Sequence, residues 1–265
     1  MSEPSNSDSH RVPNLLASWS GVRRRVADAP RVALFLDFDG TLVKYAPRPE
    51  MVRLMPATRR LLRRLAGNPR IRLAIVSGRR RAELVQHVGL PRLRYLGSYG
   101  WEDSARSSIS KLDRAALARA KRALKIVLNG SKSPWLEDKR FLLAVHFDHA
   151  AHPARRRMLE MMRAISISSG GRLRIMENIE DSELLPRIFR DKGHAVEAEL
   201  SRASARTVLP IYIGDNLSDE PAFAALRRGI TVRVGRRKLS TRARYQLRGT
   251  AEVAEALAKI EEALR

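Results

Sequence analysis

Apolar positions along the chain fall into two alternating textures. Residues 32–36 read VALFL, a continuous apolar run bounded by Pro30 and by a cluster of carboxylates and glycine, which is the pattern of a strand buried on both faces. A helical periodicity follows at 57–66, then a short apolar strand at 73–76 and a second helix at 80–88. The alternation returns with a helix at 193–200, a strand at 208–213, a helix at 221–226, a strand at 230–234 and a closing helix at 251–264. Strand and helix in turn predict an α/β core with a parallel sheet. Between these halves the texture changes. Segments 112–128 and 153–167 are helical, whereas 135–137, 141–147, 172–176 and 182–185 are strand-like and joined by tight turns. This predicts an α+β insert at 104–187, inside a core built from 15–103 and 188–265, with 1–14 as a polar, flexible leader.

Composition narrows the chemistry. With 265 residues the chain is long enough for a core plus an insert. It has no cysteine, which excludes disulfides, thiolate metal sites and cysteine nucleophiles and leaves oxygen or imidazole for any metal. Lys and Arg number 51 against 28 Asp and Glu, a formal charge of +23 that brings polyanion partners into consideration. The basic residues are dispersed in short clusters at 23–25, 79–81, 155–157 and 236–238, and no aromatic residues interleave with them as stacking partners. They read as solvated helix faces, so no specific nucleic-acid partner is expected. No apolar run approaches the roughly 20 residues needed to span a bilayer, and the N-terminal segment lacks the apolar centre of a secretory signal. A cytoplasmic protein without a membrane partner is expected.

The candidate chemistry begins at LFLDFDGTLV, residues 34–43. Asp37 and Asp39 stand two apart at the carboxyl end of a buried strand, where they point to one side while Phe38 points to the other. In open parallel sheets that edge is where ligands bind. Gly40 and Thr41 let the backbone turn sharply and offer N–H groups and a hydroxyl to an anion. Two neighbouring carboxylates repel one another, so a cation or a shared proton is expected between them, and Mg²⁺ is the natural candidate for oxygen ligands.

This segment resembles the haloacid dehalogenase superfamily of phosphatases, whose further motifs are present in order. The resemblance implies a Rossmann-like three-layer α/β core with a parallel sheet and an inserted α+β cap domain. It assigns phosphate binding to Gly40, Thr41, Ser77 and Gly78 of IVSGRR, and Lys192 of FRDKG. It makes Asp215 of IYIGDNLSDE the third metal contact beside Asp37 and Asp39, with Asn216 and Asp219 supporting the metal or the lysine. Asp37 becomes the nucleophile that forms an aspartyl-phosphate, and Asp39 the acid that protonates the leaving alcohol and then the base that deprotonates water.

Within the superfamily the chain is similar to the trehalose-6-phosphate phosphatase family. WLEDKRFLLAVHF at 135–147, SELLPRIFRDKG at 182–193, GDNLSDEPAF at 214–223 and YQLRGTAEVAEAL at 245–257 carry the likeness. It implies Glu137, Lys139 and Glu183 as sugar contacts, trehalose 6-phosphate as the small-molecule substrate and a trehalose-phosphate synthase as partner. Several positions depart from the family pattern. Asn216 replaces an aspartate, Pro221 an acidic residue and Arg140 a glycine, while GSYGWE at 97–102 alters a segment near the phosphate and the cap hinge. These changes keep two alternatives open: a phosphatase of another sugar ester, of the sucrose phosphate or glucosyl- or mannosyl-glycerate phosphate type, and a non-catalytic regulatory or polyanion-binding protein on the same fold.

Overall fold

A computed structural model describes residues 12–46, 48–103, 109–148, 150–178, 180–202, 207–237 and 240–265. Most of the expected leader, 1–11, and the boundary expected at 104 lie outside the described residues. The first part of the chain runs α1 (Trp19–Asp28), β1 (Arg31–Leu36), α2 (Pro56–Gly67), β2 (Ile71–Val76), α3 (Arg81–Val88) and β3 (Arg94–Leu96). The insert contributes α4 (Lys111–Val127), β4 (Trp135–Asp138), β5 (Leu143–His146), α5 (His152–Ser168), β6 (Leu173–Glu177) and β7 (Asp181–Pro186). The chain closes with α6 (Lys192–Ser201), β8 (Val208–Gly214), α7 (Glu220–Ala225), β9 (Ile230–Val234), β10 (Tyr245–Leu247) and α8 (Thr250–Ala263).

Six strands form one parallel sheet in the order β10-β9-β8-β1-β2-β3. The uninterrupted apolar character of β1 follows from its position at the middle of this sheet. Val32, Leu34 and Leu36 pack on one face with side chains of α1, α2, α3 and α8, while Ala33 and Phe35 pack on the other with α6 and α7. The chain runs outward from β1 through β2 and β3 on one side and through β8 to β10 on the other. The carboxyl ends of β1 and β8 therefore flank a switch in connection direction, where a crevice forms.

The insert folds its own antiparallel sheet in the order β4-β5-β7-β6, and α4 and α5 pack on it through a second apolar cluster that includes Leu117, Leu124, Met158 and Met162. Its register places Trp135, His146 and Asp181 in one cross-strand row and Glu137, Ala144 and Glu183 in the row two residues along. Because side chains alternate faces, these two rows share a face.

Three elements escape the hydrophobic pattern. Helix α1 buries only Val22 and Val26, and β3 and β10 are three residues each. The strand expected over 141–147 is shorter, because Lys139 to Leu142 form a tight turn with Arg140 in the left-handed region (φ 71). Phe141 and Leu142 are spent on that turn.

Candidate active site

Asp37 follows β1 directly. Its backbone N–H donates to the Ile213 carbonyl of β8, which fixes the strand end, and its Oδ1 accepts from Lys192 Nζ at 2.7 Å. Beyond it the chain reverses through Gly40 at φ 76, closed by Leu42 N–H to the Phe38 carbonyl at 2.9 Å. A Cβ on Gly40 would stand 2.1 Å from Asp215 Oδ2, so both the backbone conformation and the proximity of β8 demand glycine. Thr41 is fully buried, and its hydroxyl has no partner among the described residues.

Lys192 opens α6 and is itself buried. Its ammonium lies 2.7 Å from Asp37 Oδ1 and 2.7 Å from Asp219 Oδ1. Asp219 also accepts from Tyr212 Oη at 2.7 Å and from the Asn216 backbone N–H at 2.8 Å. Asp215 accepts from Tyr45 Oη at 3.0 Å, while its Oδ1 is buried and without a partner among the described residues. One oxygen from each of Asp37, Asp215 and Asp219 lies within 4.8 Å of the others.

Three carboxylates thus face one ammonium. Burial, reinforced by Asp219 and Asp39, pushes the Asp37 carboxyl up to about 7 against the opposing pull of Lys192. Burial and the charges of Asp37 and Asp219 likewise hold Asp215 well above the usual carboxylate range. Burial disfavours the Lys192 ammonium, yet Asp219 and Asp37 outweigh it and raise its pKa. An excess of buried negative charge, an orphaned carboxylate oxygen and an all-oxygen donor set fit a hard divalent cation.

Asp39 stands outside that group. Both of its carboxylate oxygens are taken by Arg79, Nε at 2.7 Å and Nη2 at 2.8 Å, so the side chain expected on the metal is instead clamped by a guanidinium. Arg79 also corrects the reading of 79–81 as a solvated cluster: it is only 7% exposed. Asn216, expected beside the metal or the lysine, turns its side-chain amide to Tyr45 Oη at 3.2 Å. Ser77 follows β2, is buried, and accepts from the Arg79 backbone N–H. A Cβ on Gly78 would come within 2.6 Å of Tyr99 Oη.

Across the crevice the insert presents the other predicted residues. Lys139 Nζ lies 2.8 Å from Glu183 Oε1 and 3.9 Å from Glu137 Oε2. Glu183, completely buried, accepts at its second oxygen from Tyr99 Oη at 2.5 Å. Burial keeps the Glu183 carboxyl raised despite Lys139. Glu137 meets His146 Nε2 at 2.7 Å, and Trp135 stacks on the His146 ring at 4.1 Å. Tyr99 and Ser98 both adopt left-handed backbone, held by N–H bonds to the Ser77 and Arg79 carbonyls. Arg79, Tyr99 and Trp135, which lie inside the quoted segments but were given no role there, line the same cleft as Asp37 and Lys192, as do Tyr45, Asn178 and Asp181, which no motif marks in the sequence.

A family model described as trehalose-phosphatase matches residues 35–251. A trehalose-phosphate phosphatase of Mycobacterium avium (strain 104) is 37% identical over 209 residues, covering 74% of this chain and 52% of that relative. An uncharacterized glycosyl hydrolase of Mycobacterium tuberculosis (strain ATCC 25618 / H37Rv) is 34% identical over 227 residues, 82% of this chain and 17% of that one. The chain therefore spans about half the length of the first relative and a smaller part of the second. The C-terminal domain of a C. albicans trehalose-6-phosphate phosphatase matches with a TM-score of 0.82 over 96% of this chain and 99% of that one at 18% identity, which is a likeness of fold.

Proposed function

The chain belongs to the trehalose-phosphatase family, and from that premise we propose that it hydrolyses a phosphate monoester of a sugar, trehalose 6-phosphate, to trehalose and inorganic phosphate. The observation that carries this reading is the buried Asp37 carboxylate at the end of β1, held by Lys192 at 2.7 Å and facing the Glu137, Lys139 and Glu183 group across one cleft.

Asp37 Oδ1 is occupied by Lys192, which leaves Oδ2 to attack phosphorus. The phosphorus–oxygen bond to the sugar breaks with its electron pair on the sugar oxygen, and an aspartyl-phosphate forms on Asp37. Lys192, the Ser77 hydroxyl and the N–H groups after Gly40 hold the phosphoryl oxygens. Once its carboxyl leaves Arg79 and takes up a proton from solvent, Asp39 gives that proton to the departing oxygen, then takes one from the water that attacks the phosphoryl group and breaks its bond to Asp37, freeing phosphate. Asp37, Asp215 and Asp219 would hold Mg²⁺, which supplies charge neutralisation for the phosphoryl group when bound. On this reading 15–103 and 188–265 act as the catalytic core, 104–187 as a cap carrying the sugar contacts, and 1–14 as a leader. Among the described residues no helix is long and apolar enough to cross a membrane, and we place the protein in the cytoplasm beside a trehalose-phosphate synthase that supplies the ester.

The test is phosphate release from trehalose 6-phosphate, sucrose 6-phosphate, glucose 6-phosphate and an aryl phosphate, with Mg²⁺ or chelator, for wild type and Asp37→Asn. Mg²⁺-dependent preference for trehalose 6-phosphate that vanishes in the variant is expected. Preference for another ester moves the assignment to another sugar phosphate, and absence of Asp37-dependent release from every ester turns it to a regulatory or polyanion-binding protein.

A further inference from the structure

The chain carries a formal +23, yet its cleft is acidic. Asp37 and Asp39 line the core side, and Glu137, Asp148, Glu180, Asp181 and Glu183 line the insert side. Against these seven carboxylates the described lining residues hold three permanent cations, Arg79, Lys139 and Lys192. Each is already engaged: Arg79 with Asp39, Lys139 with Glu183, and Lys192 with Asp37 and Asp219. Nearby, Arg237 reaches Glu180 at 3.8 Å and Arg48 lies over the Trp135 ring, but neither lines the cleft.

The β5–β7 register turns Asp181 to the same face as Glu183, beside His146. Among the described residues Asp181 has no ion-pair partner; its Oδ1 accepts from Asn178 Nδ2 at 2.8 Å. Asn178 is only 5% exposed, lines the cleft, and its own Oδ1 is buried without a partner among the described residues. A buried acceptor left open beside a carboxylate calls for a donor, and a neutral hydroxyl supplies one without bringing charge. A carboxylate or second phosphate there has no proton to give and meets the negative charge of Asp181 and Glu180.

Resting on the phosphatase reading above, we propose that the insert wall selects a leaving group that is a neutral polyol and rejects one carrying a second anionic group, with Asn178 and Asp181 as the specificity-determining pair. This separates two substrate classes the sequence leaves open, since neutral disaccharide phosphates satisfy the wall and glycosyl-glycerate phosphates, with their carboxylate, do not.

The experiment compares kcat/KM of the full chain with Mg²⁺ on trehalose 6-phosphate and on its uronic acid counterpart, in which the free hydroxymethyl group is a carboxylate. The neutral ester is expected to lead by about ten-fold or more, chiefly through KM, with Asp181→Asn narrowing the ratio by raising the anionic ester. A second measurement needs no variant: free trehalose should inhibit aryl phosphate hydrolysis more strongly than its uronic acid. Equal kcat/KM for the two esters, or stronger inhibition by the acid, overturns the inference while leaving the phosphatase reading intact. An unchanged ratio in folded Asp181→Asn removes Asp181 from the role. Absence of Asp37-dependent release from any ester overturns the phosphatase reading and takes this inference with it.

Discussion

Removing the titration at Asp37 should change the pH dependence of stability in a way that bound metal erases. In the metal-free protein, burial with Asp219 and Asp39 nearby pushes this carboxyl up to about 7 from an ordinary value of 3.8. Its folded pKa is raised, so the native state binds the proton more tightly than the unfolded chain does. Stability is therefore lost as pH rises through the window from about 4 to about 7, and the full penalty stands above it. At 1.36 kcal/mol per unit, a shift of about three units corresponds to on the order of 4 kcal/mol, and at roughly 2–4 °C per kcal/mol to about 10 °C in Tm. Asp37→Asn keeps an acceptor for Lys192 and removes the charge. Thermal unfolding in chelator should place the variant close to wild type near the acid end of that window and about 10 °C above it at the alkaline end. Saturating Mg²⁺ should close the gap by stabilising wild type more than the variant. A difference that stays flat with pH, or equal stabilisation of both proteins by Mg²⁺, would refute the reasoning.

Gly40→Ala should abolish phosphate release and lower stability by about 1–3 kcal/mol, read by denaturant unfolding, because the new methyl meets the Asp215 carboxylate at 2.1 Å and the φ of 76 is unfavourable for alanine. Asp39→Asn should give a single-turnover burst of nitrophenolate from nitrophenyl phosphate, whose leaving group needs no proton, but no release from trehalose 6-phosphate in rapid-quench measurements. Loss of both bursts would place Asp39 outside proton transfer. Lys139→Met leaves Glu183 buried opposite Tyr99 without its cation and should cost about 3 kcal/mol or more, measured by urea unfolding. Glu137→Ala should lower kcat/KM for the sugar ester by about 100-fold or more and for an aryl phosphate far less; equal losses would remove it from sugar recognition.

The apolar run at β1 was legible because burial on both faces leaves no alternation, and β2, β8 and β9 were legible for the same reason. Helix α1 was not, since only two of its residues reach the core and three arginines dilute their signal. Among the site residues, Asp37, Ser77, Lys192, Asp215 and Asp219 follow strand ends or open a helix, and that placement can be read from local pattern. Arg79 was read as a surface charge because its neighbours in sequence are basic, whereas its partner Asp39 is forty positions away.

The succession of strands and helices along the chain and the D-x-D turn were determined by the sequence alone, because periodicity and turn chemistry act over a few residues, while the roles expected of Asp37, Ser77 and Lys192 came from the family resemblance. Which charges neutralise one another was decided only by the tertiary structure. The parallel order β8-β1-β2 brings Lys192 and Asp219 to Asp37, and the insert register sets Glu183 against Lys139 and Tyr99 and leaves Asn178 with an open acceptor. Ion pairing and desolvation depend on distances between segments far apart in the chain, and folding alone establishes those distances.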